Sequence, residues 1–141
     1  MNATLLYRIA AALLSLFAVL HTFGFLGFKP PTAEGLAVRD AMSSVQFEIK
    51  GASGSYGKFY MGFGLTVTAY LIFSAFLAWH LGNMATSQPQ SVRVLAWAFA
   101  AVQLACLGLT VAYFFLLPAL FSGIIAICLV WAAWLLRDTA A

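Results

Sequence analysis

The chain has 141 residues, of which 64% are apolar and 8% charged, and it carries a net charge of +3. A water-soluble fold of this size would expose too much apolar surface, a disordered chain needs the opposite balance, and a disulfide-stapled secreted domain needs more than two cysteines. The seven Lys and Arg are scattered, without a basic stripe or a nucleic-acid motif, so no nucleic-acid partner is expected and an integral membrane protein remains.

A helix needs about 20 mostly apolar residues to cross a hydrocarbon core about 30 Å thick. The first such stretch covers residues 5–27 and is interrupted only by Arg8, His21 and Thr22. It shows no evident small-x-small cleavage site and is long enough to span, so it reads as a helix and not as a signal peptide. Residues 28–59 follow, a 32-residue stretch with four of the seven basic residues and three of the four acidic ones. That is too long for a bare turn. Residues 32–47 read as a short helix, with Thr32 as N-cap, Glu34 in the first turn, apolar Leu36, Val38, Met42 and Val45, and Arg39 and Asp40 between them. Residues 51–55 (GASGS) read as a flexible or tightly turned approach to the next span. The whole segment is expected to lie on the bilayer surface and cover one end of the bundle.

The second span covers residues 60–81, and residues 83–91 (NMATSQPQS) read as a short polar turn. The third and fourth spans, residues 92–116 and 119–136, are separated by Pro118, which lacks a backbone donor and suits the first turn of a new helix. They form a tight antiparallel hairpin. The expected fold is all-α, a single domain over 1–141. It is an integral membrane four-helix bundle, up-down-up-down, with a long helical or irregular loop between helices 1 and 2.

In lipid, helices associate through close packing of small residues and a few hydrogen bonds. Such seams are Ala11, Ser15, Ala18 and Thr22 on the first span, and Gly64, Thr68, Ala75 and Ala78 on the second. The third offers Ala96, Ala100, Gln103 and Thr110, and the fourth Ser122, Ala126 and Ala133. Gln103 lies at the depth of Ser15 and Ser74, so it should point inward and bond one of those serines or a backbone carbonyl. Arg8, Arg93 and Arg137 sit at helix ends, where the positive-inside bias acts, which places the termini in the cytoplasm. Trp79, Trp97 and Trp134 fit an interfacial belt on that side, with Trp131 a turn deeper.

Polar residues also gather at the other end. His21, Thr22, Thr66, Tyr113 and Ser122 fall within about two turns of the outer surface, beneath a loop carrying Arg39, Asp40, Glu48, Tyr56 and Lys58. His21 is the deepest ionisable residue there, and an ionisable residue within a span is a candidate functional group. The plainer reading is a neutral imidazole that ties the loop down through a loop carbonyl or Glu48. His80 falls near the opposite surface, beside Trp79, and reads as an interfacial anchor, which disfavours a haem held by both histidines. No His, Cys and carboxylate cluster has zinc-ligand spacing, and no metal or other cofactor is expected. Cys106 and Cys128 flank Pro118 at nearly equal depth and read as small buried residues, since no C-x-x-C accompanies them. A phosphate loop, a nucleophile elbow and H-E-x-x-H are absent, and no acidic residue lies in a span, which argues against an ion-coupled transporter.

The string His21-Thr22-Phe23-Gly24-Phe25, then Pro30-Pro31, Met42-Ser43-Ser44-Val45-Gln46-Phe47-Glu48, and Gly51 through Tyr60-Met61-Gly62-Phe63-Gly64-Leu65 together resemble an uncharacterised family of small four-span bacterial integral membrane proteins. The likeness covers the first span, the loop and the second span. Similar sequences carry His where Gln46 stands, Arg where Gly54 stands and an aromatic where Gly57 stands. The resemblance implies four spans and a bacterial inner membrane, and it implies no activity.

Two functional expectations follow. The leading one is a non-enzymatic membrane protein that binds a lipid-like or other apolar molecule, or a membrane partner, at its outer end. The alternative is an enzyme acting on a membrane-dissolved substrate, with His21 as acid or base oriented by Glu48 or Tyr113, and Arg39 or Lys58 holding a headgroup. The expected ligand contacts are His21, Thr22, Arg39, Glu48, Tyr56, Tyr60, Thr66 and Tyr113. The expected partners are membrane lipids, an apolar small molecule and further copies of the chain.

Overall fold

Hydrocarbon offers no hydrogen bonds, so an apolar stretch that crosses it must satisfy its backbone internally, and helix is the local solution. The computed structural model describes residues 2–137; residues 1 and 138–141 of the expected domain lie outside the described residues. The elements in order are α1 (Ala3–Gly27), α2 (Ala33–Ser44), β1 (Gln46–Ile49), β2 (Ala52–Ser55), α3 (Tyr56–Ser87), α4 (Pro89–Tyr113) and α5 (Leu116–Leu135). Four of them, α1, α3, α4 and α5, are long and apolar enough to cross a membrane. The chain is therefore an all-α, multi-pass membrane protein with helical-bundle packing.

α3 begins at Tyr56, four residues before the expected second span, and the helix ends differ from expectation in two further places. The polar run after Leu81 does not turn: α3 continues to Ser87, and Ala85 is buried. The break comes at Gln88, whose φ of −142° and ψ of 57° are non-helical. Proline disfavours the α conformation in the residue before it, and Pro89 then opens α4 with no donor to waste. At the other end α4 stops at Tyr113, Phe114 and Phe115 are extended, and α5 already starts at Leu116. Had α4 run on, the Pro118 ring would have met the Phe114 carbonyl four residues back, so the break falls there. Pro118 lies in the first turn of α5 as expected.

The chain forms two compact units, one from the residues up to Ala18 together with those from Leu71 onward, the other Val19–Tyr70. The first is a four-helix bundle of α4, α5, the start of α1 and the end of α3. Its core is small-residue packing: Ala10, Ala78, Ala96, Ala100, Ala126, Ala132 and Ala133 are buried around Leu6, Tyr7, Leu14, Leu81, Ile125 and Leu129. At Gly82 a Cβ would stand 3.1 Å from Tyr7 Cβ and 3.5 Å from Thr4 O, so α1 and α3 nearly touch there. The Arg8 guanidinium lies 4.4 Å over the Trp79 ring and donates to Asn83 Oδ1 at 3.3 Å. The start of α1 thus meets the end of α3. Phe17 stacks on Phe121 at 5.2 Å, and the Thr110 and Ser122 hydroxyls lie 3.4 Å apart, so neighbouring helices run antiparallel. Gln103 is buried, as its cost in lipid requires, whereas Ser74 Oγ is buried without a partner and Ser15 Oγ donates to Ala11 O. Among the described residues neither Cys106 nor Cys128 forms a disulfide.

Candidate functional site

The second unit, Val19–Tyr70, holds the end of α1, the connecting segment and the start of α3. Thr32 is in extended conformation, and its Oγ1 accepts from the Gly35 N–H at 3.1 Å, which starts α2 as the sequence suggests. Gly35 is required there, since a Cβ would stand 2.7 Å from Pro30 Cβ. Beyond Ser44 the expectation fails. Residues 46–55 form an antiparallel hairpin instead of a helical tail and an irregular approach, pairing Phe47 with Gly54, Glu48 with Ser53 and Ile49 with Ala52. Its two-residue turn is Lys50-Gly51, both at positive φ (51° and 84°), the geometry that matches the twist of the flanking strands. Phe47 packs on Tyr56 and Phe59, with ring centroids 5.2 and 5.4 Å away.

Ser55 ends the hairpin and caps α3: it is buried, and its Oγ accepts from the Lys58 N–H at 3.3 Å. Ser55→Ala should destabilise this unit by about 1 kcal/mol, read as faster amide exchange over residues 56–58, whereas Ser53→Ala on the exposed strand face should change nothing measurable.

The end of α1 is fastened to α3 by three neighbouring contacts. His21 Nε2 lies 3.0 Å from the Gly64 carbonyl oxygen. A carbonyl only accepts, so the imidazole carries its proton on Nε2 and donates it here. One residue on, the Thr22 and Thr68 hydroxyls lie 2.9 Å apart. Phe25 stands between His21 (5.8 Å, 10° between planes) and Tyr60 (5.1 Å, 42°), and its ring lies against Gly64, where any Cβ would overlap it.

Beside this fastening lies a cavity of about 350 Å³ between the end of α1, α2 and the start of α3. Phe25, Leu26, Phe28, Val38, Met42 and Met61 form most of its apolar wall, with Arg39, Ser43 and Tyr60 as its polar members. The cavity exists because α2 closes against α3 at one end only: a Cβ on Gly57 would stand 3.1 Å from Ser43 Oγ and 3.3 Å from Met42 O. Arg39 Nη1 donates to Phe28 O at 3.3 Å.

Of the residues expected to contact a ligand, Arg39 and Tyr60 line this cavity. His21 and Thr22 are not lining residues; they hold the α1 wall in place. His21 also bonds a carbonyl of α3, not a loop carbonyl or Glu48, and among the described residues no carboxylate forms an ion pair with it. Glu48 is exposed on the polar face of the hairpin, and Tyr56 is exposed with one face on Phe47. Thr66 is exposed and donates to Gly62 O of its own helix. Tyr113 ends α4 in the other unit and is 79% exposed. His80 also belongs to that unit, stacked on Phe76 at 6.0 Å. Among the described residues no three of His, Cys, Asp and Glu gather as metal ligands would. Sequence reasoning missed Phe25, Phe28, Met42 and Gly57 as lining residues. The available signal was Pro30-Pro31 with Gly35 and Gly57, which mark close backbone approaches at both ends of α2. Comparison with protein-family models, curated proteins and solved structures finds no match.

Proposed function

We propose that this is a non-enzymatic membrane protein that holds a lipid-like molecule in the groove between α1, α2 and α3. The observation that carries the reading is the 350 Å³ cavity itself, walled by aromatic and aliphatic side chains where two apolar helices end and begin. Small-molecule sites are mostly apolar with a few placed polar groups, and run from about 300 to 1,000 Å³. A non-enzymatic role is supported by the place of His21, which is outside the lining of the groove and stacked on Phe25. The reading includes a bacterial inner membrane, supported by the resemblance, and cytoplasmic termini, supported by the arginines at helix ends.

Thermal unfolding of the purified protein in a non-ionic detergent, across a panel of lipids and quinones, tests it. A ligand present at about 100 times its Kd stabilises by about 2.7 kcal/mol, so at least one class should raise the midpoint by several degrees. Met42→Trp, which fills the groove, should remove the response. No shift with any ligand, or an undiminished shift in the filled variant, would overturn the reading.

A further inference from the structure

Among the described residues, the lining of the groove holds one charged side chain, Arg39, and no carboxylate. Its hydrogen bond to Phe28 O, at 3.3 Å, is longer than the roughly 2.7–2.9 Å of a charge-assisted pair, and a guanidinium has five donors in a fork that matches a carboxylate or phosphate. Among the described residues no carboxylate forms an ion pair with it. The charges next to the lining in sequence are Lys29 and Lys58 against Glu34 and Asp40, which balance, so Arg39 sets the sign of the groove. Tyr60 adds a neutral donor to the same lining, while the Ser43 hydroxyl donates to Arg39 O at 3.2 Å. The volume, about 350 Å³ and near the lower limit for small-molecule sites, accommodates a headgroup with the first part of one chain.

We infer that the groove selects single-chain amphiphiles with an acidic headgroup, a carboxylate or a phosphate monoester, paired with Arg39 while the chain leaves past Phe25 and Met61 toward the bilayer. This rests on the reading of the groove as an amphiphile site. Arg39 is exposed and donates to Phe28 O; an acidic headgroup beside it gives its remaining donors a charged acceptor, whereas an alcohol of equal length offers only a neutral one.

The test uses the full chain in nanodiscs of neutral lipid at about pH 8, where both acids are ionised. Dodecanoate, dodecyl phosphate, dodecanol and inorganic phosphate are titrated by thermal stabilisation. The two acids should bind at least about tenfold more tightly than dodecanol, and inorganic phosphate should give no shift. Arg39→Gln should bring the acids down to the level of dodecanol, leaving dodecanol within about twofold of the parent protein, and Arg39→Lys should keep part of the preference. Equal affinity for acids and alcohol in the parent protein overturns the inference and leaves the groove reading standing. A shift by inorganic phosphate equal to that of dodecyl phosphate also overturns it, by showing a site for free anions. Binding of none of the three chains overturns the groove reading itself.

Discussion

Replacing Gly64 by alanine is expected to destabilise the protein by about 1–3 kcal/mol, although the same change at Gly62 or Gly108 should stabilise it by up to about 1 kcal/mol. All three are interior helical glycines, so their intrinsic preferences are alike. The difference is what a methyl group meets. At Gly62 and Gly108 nothing lies within 4 Å of a Cβ, while at Gly64 it falls inside the Phe25 ring. The helix cannot move aside, because the Gly64 carbonyl is held by His21 and the Thr22–Thr68 pair closes the next turn. Phe25 must therefore swing out, and it leaves both of its ring partners, His21 and Tyr60, each contact contributing about 0.5–1.5 kcal/mol. Unfolding in detergent, followed by tryptophan fluorescence, measures the effect. A double-mutant cycle with Phe25→Ala isolates the cause: with the ring absent, the alanine at 64 should cost nothing, a coupling of at least about 1 kcal/mol. A Gly64→Ala protein as stable as its parent would end this account. Because Phe25 also lines the groove, the variant should lose ligand response without any change to Arg39 or Tyr60.

The transmembrane helices were legible because hydrocarbon imposes one simple demand, a long apolar run, and every such run folds as a helix. Their ends were less so. Asn83 and Ser87 look like turn residues, yet nothing in that stretch forbids helix until Gln88 meets Pro89. The hairpin was hidden because Val45, Phe47 and Ile49 alternate over only one short strand, directly after a well-capped helix, and because Lys50-Gly51 is a weaker turn signal than Asn-Gly or Asp-Gly. Around the groove, estimating depth along the helices put His21 and Thr22 near the end of α1, and the loop reading brought Arg39 to the same end; the structure has Arg39 and Tyr60 in the lining and His21 and Thr22 bonded to α3. Depth gives height and not direction around a helix, so it could not say that His21 faces Gly64 or that Thr66 faces away. Nor could it single out Phe25 among the many phenylalanines. Its role comes from a missing Cβ on another helix, at Gly64, 39 residues away in sequence.

In the bundle unit, Gly82→Val is expected to cost about 3 kcal/mol, with Gly82→Ala well below that. The argument differs from that at Gly64, where a flexible ring can swing clear. The atoms facing Gly82 are Tyr7 Cβ, the Thr4 carbonyl oxygen and Arg8 Cγ, at 3.1, 3.5 and 3.9 Å from a Cβ, and the first two are fixed to the α1 backbone. A single methyl needs them to give by a few tenths of an ångström, but a branched side chain forces the helices apart. In lipid, separation is not compensated by hydrophobic burial, because the exposed surface meets acyl chains as apolar as the core, and the loss is the packing itself. Tyr7, fully buried, would lose its neighbours. Arg8 would lose Trp79 and Asn83, which flank Gly82 on α3, and the cation–π contact alone contributes about 0.5–1 kcal/mol. Arg8→Ala should therefore reproduce only that surface part, about 1 kcal/mol, and leave the core intact. Should Gly82→Val cost no more than Arg8→Ala, the interfacial arginine and not the close approach of two backbones holds α1 against α3.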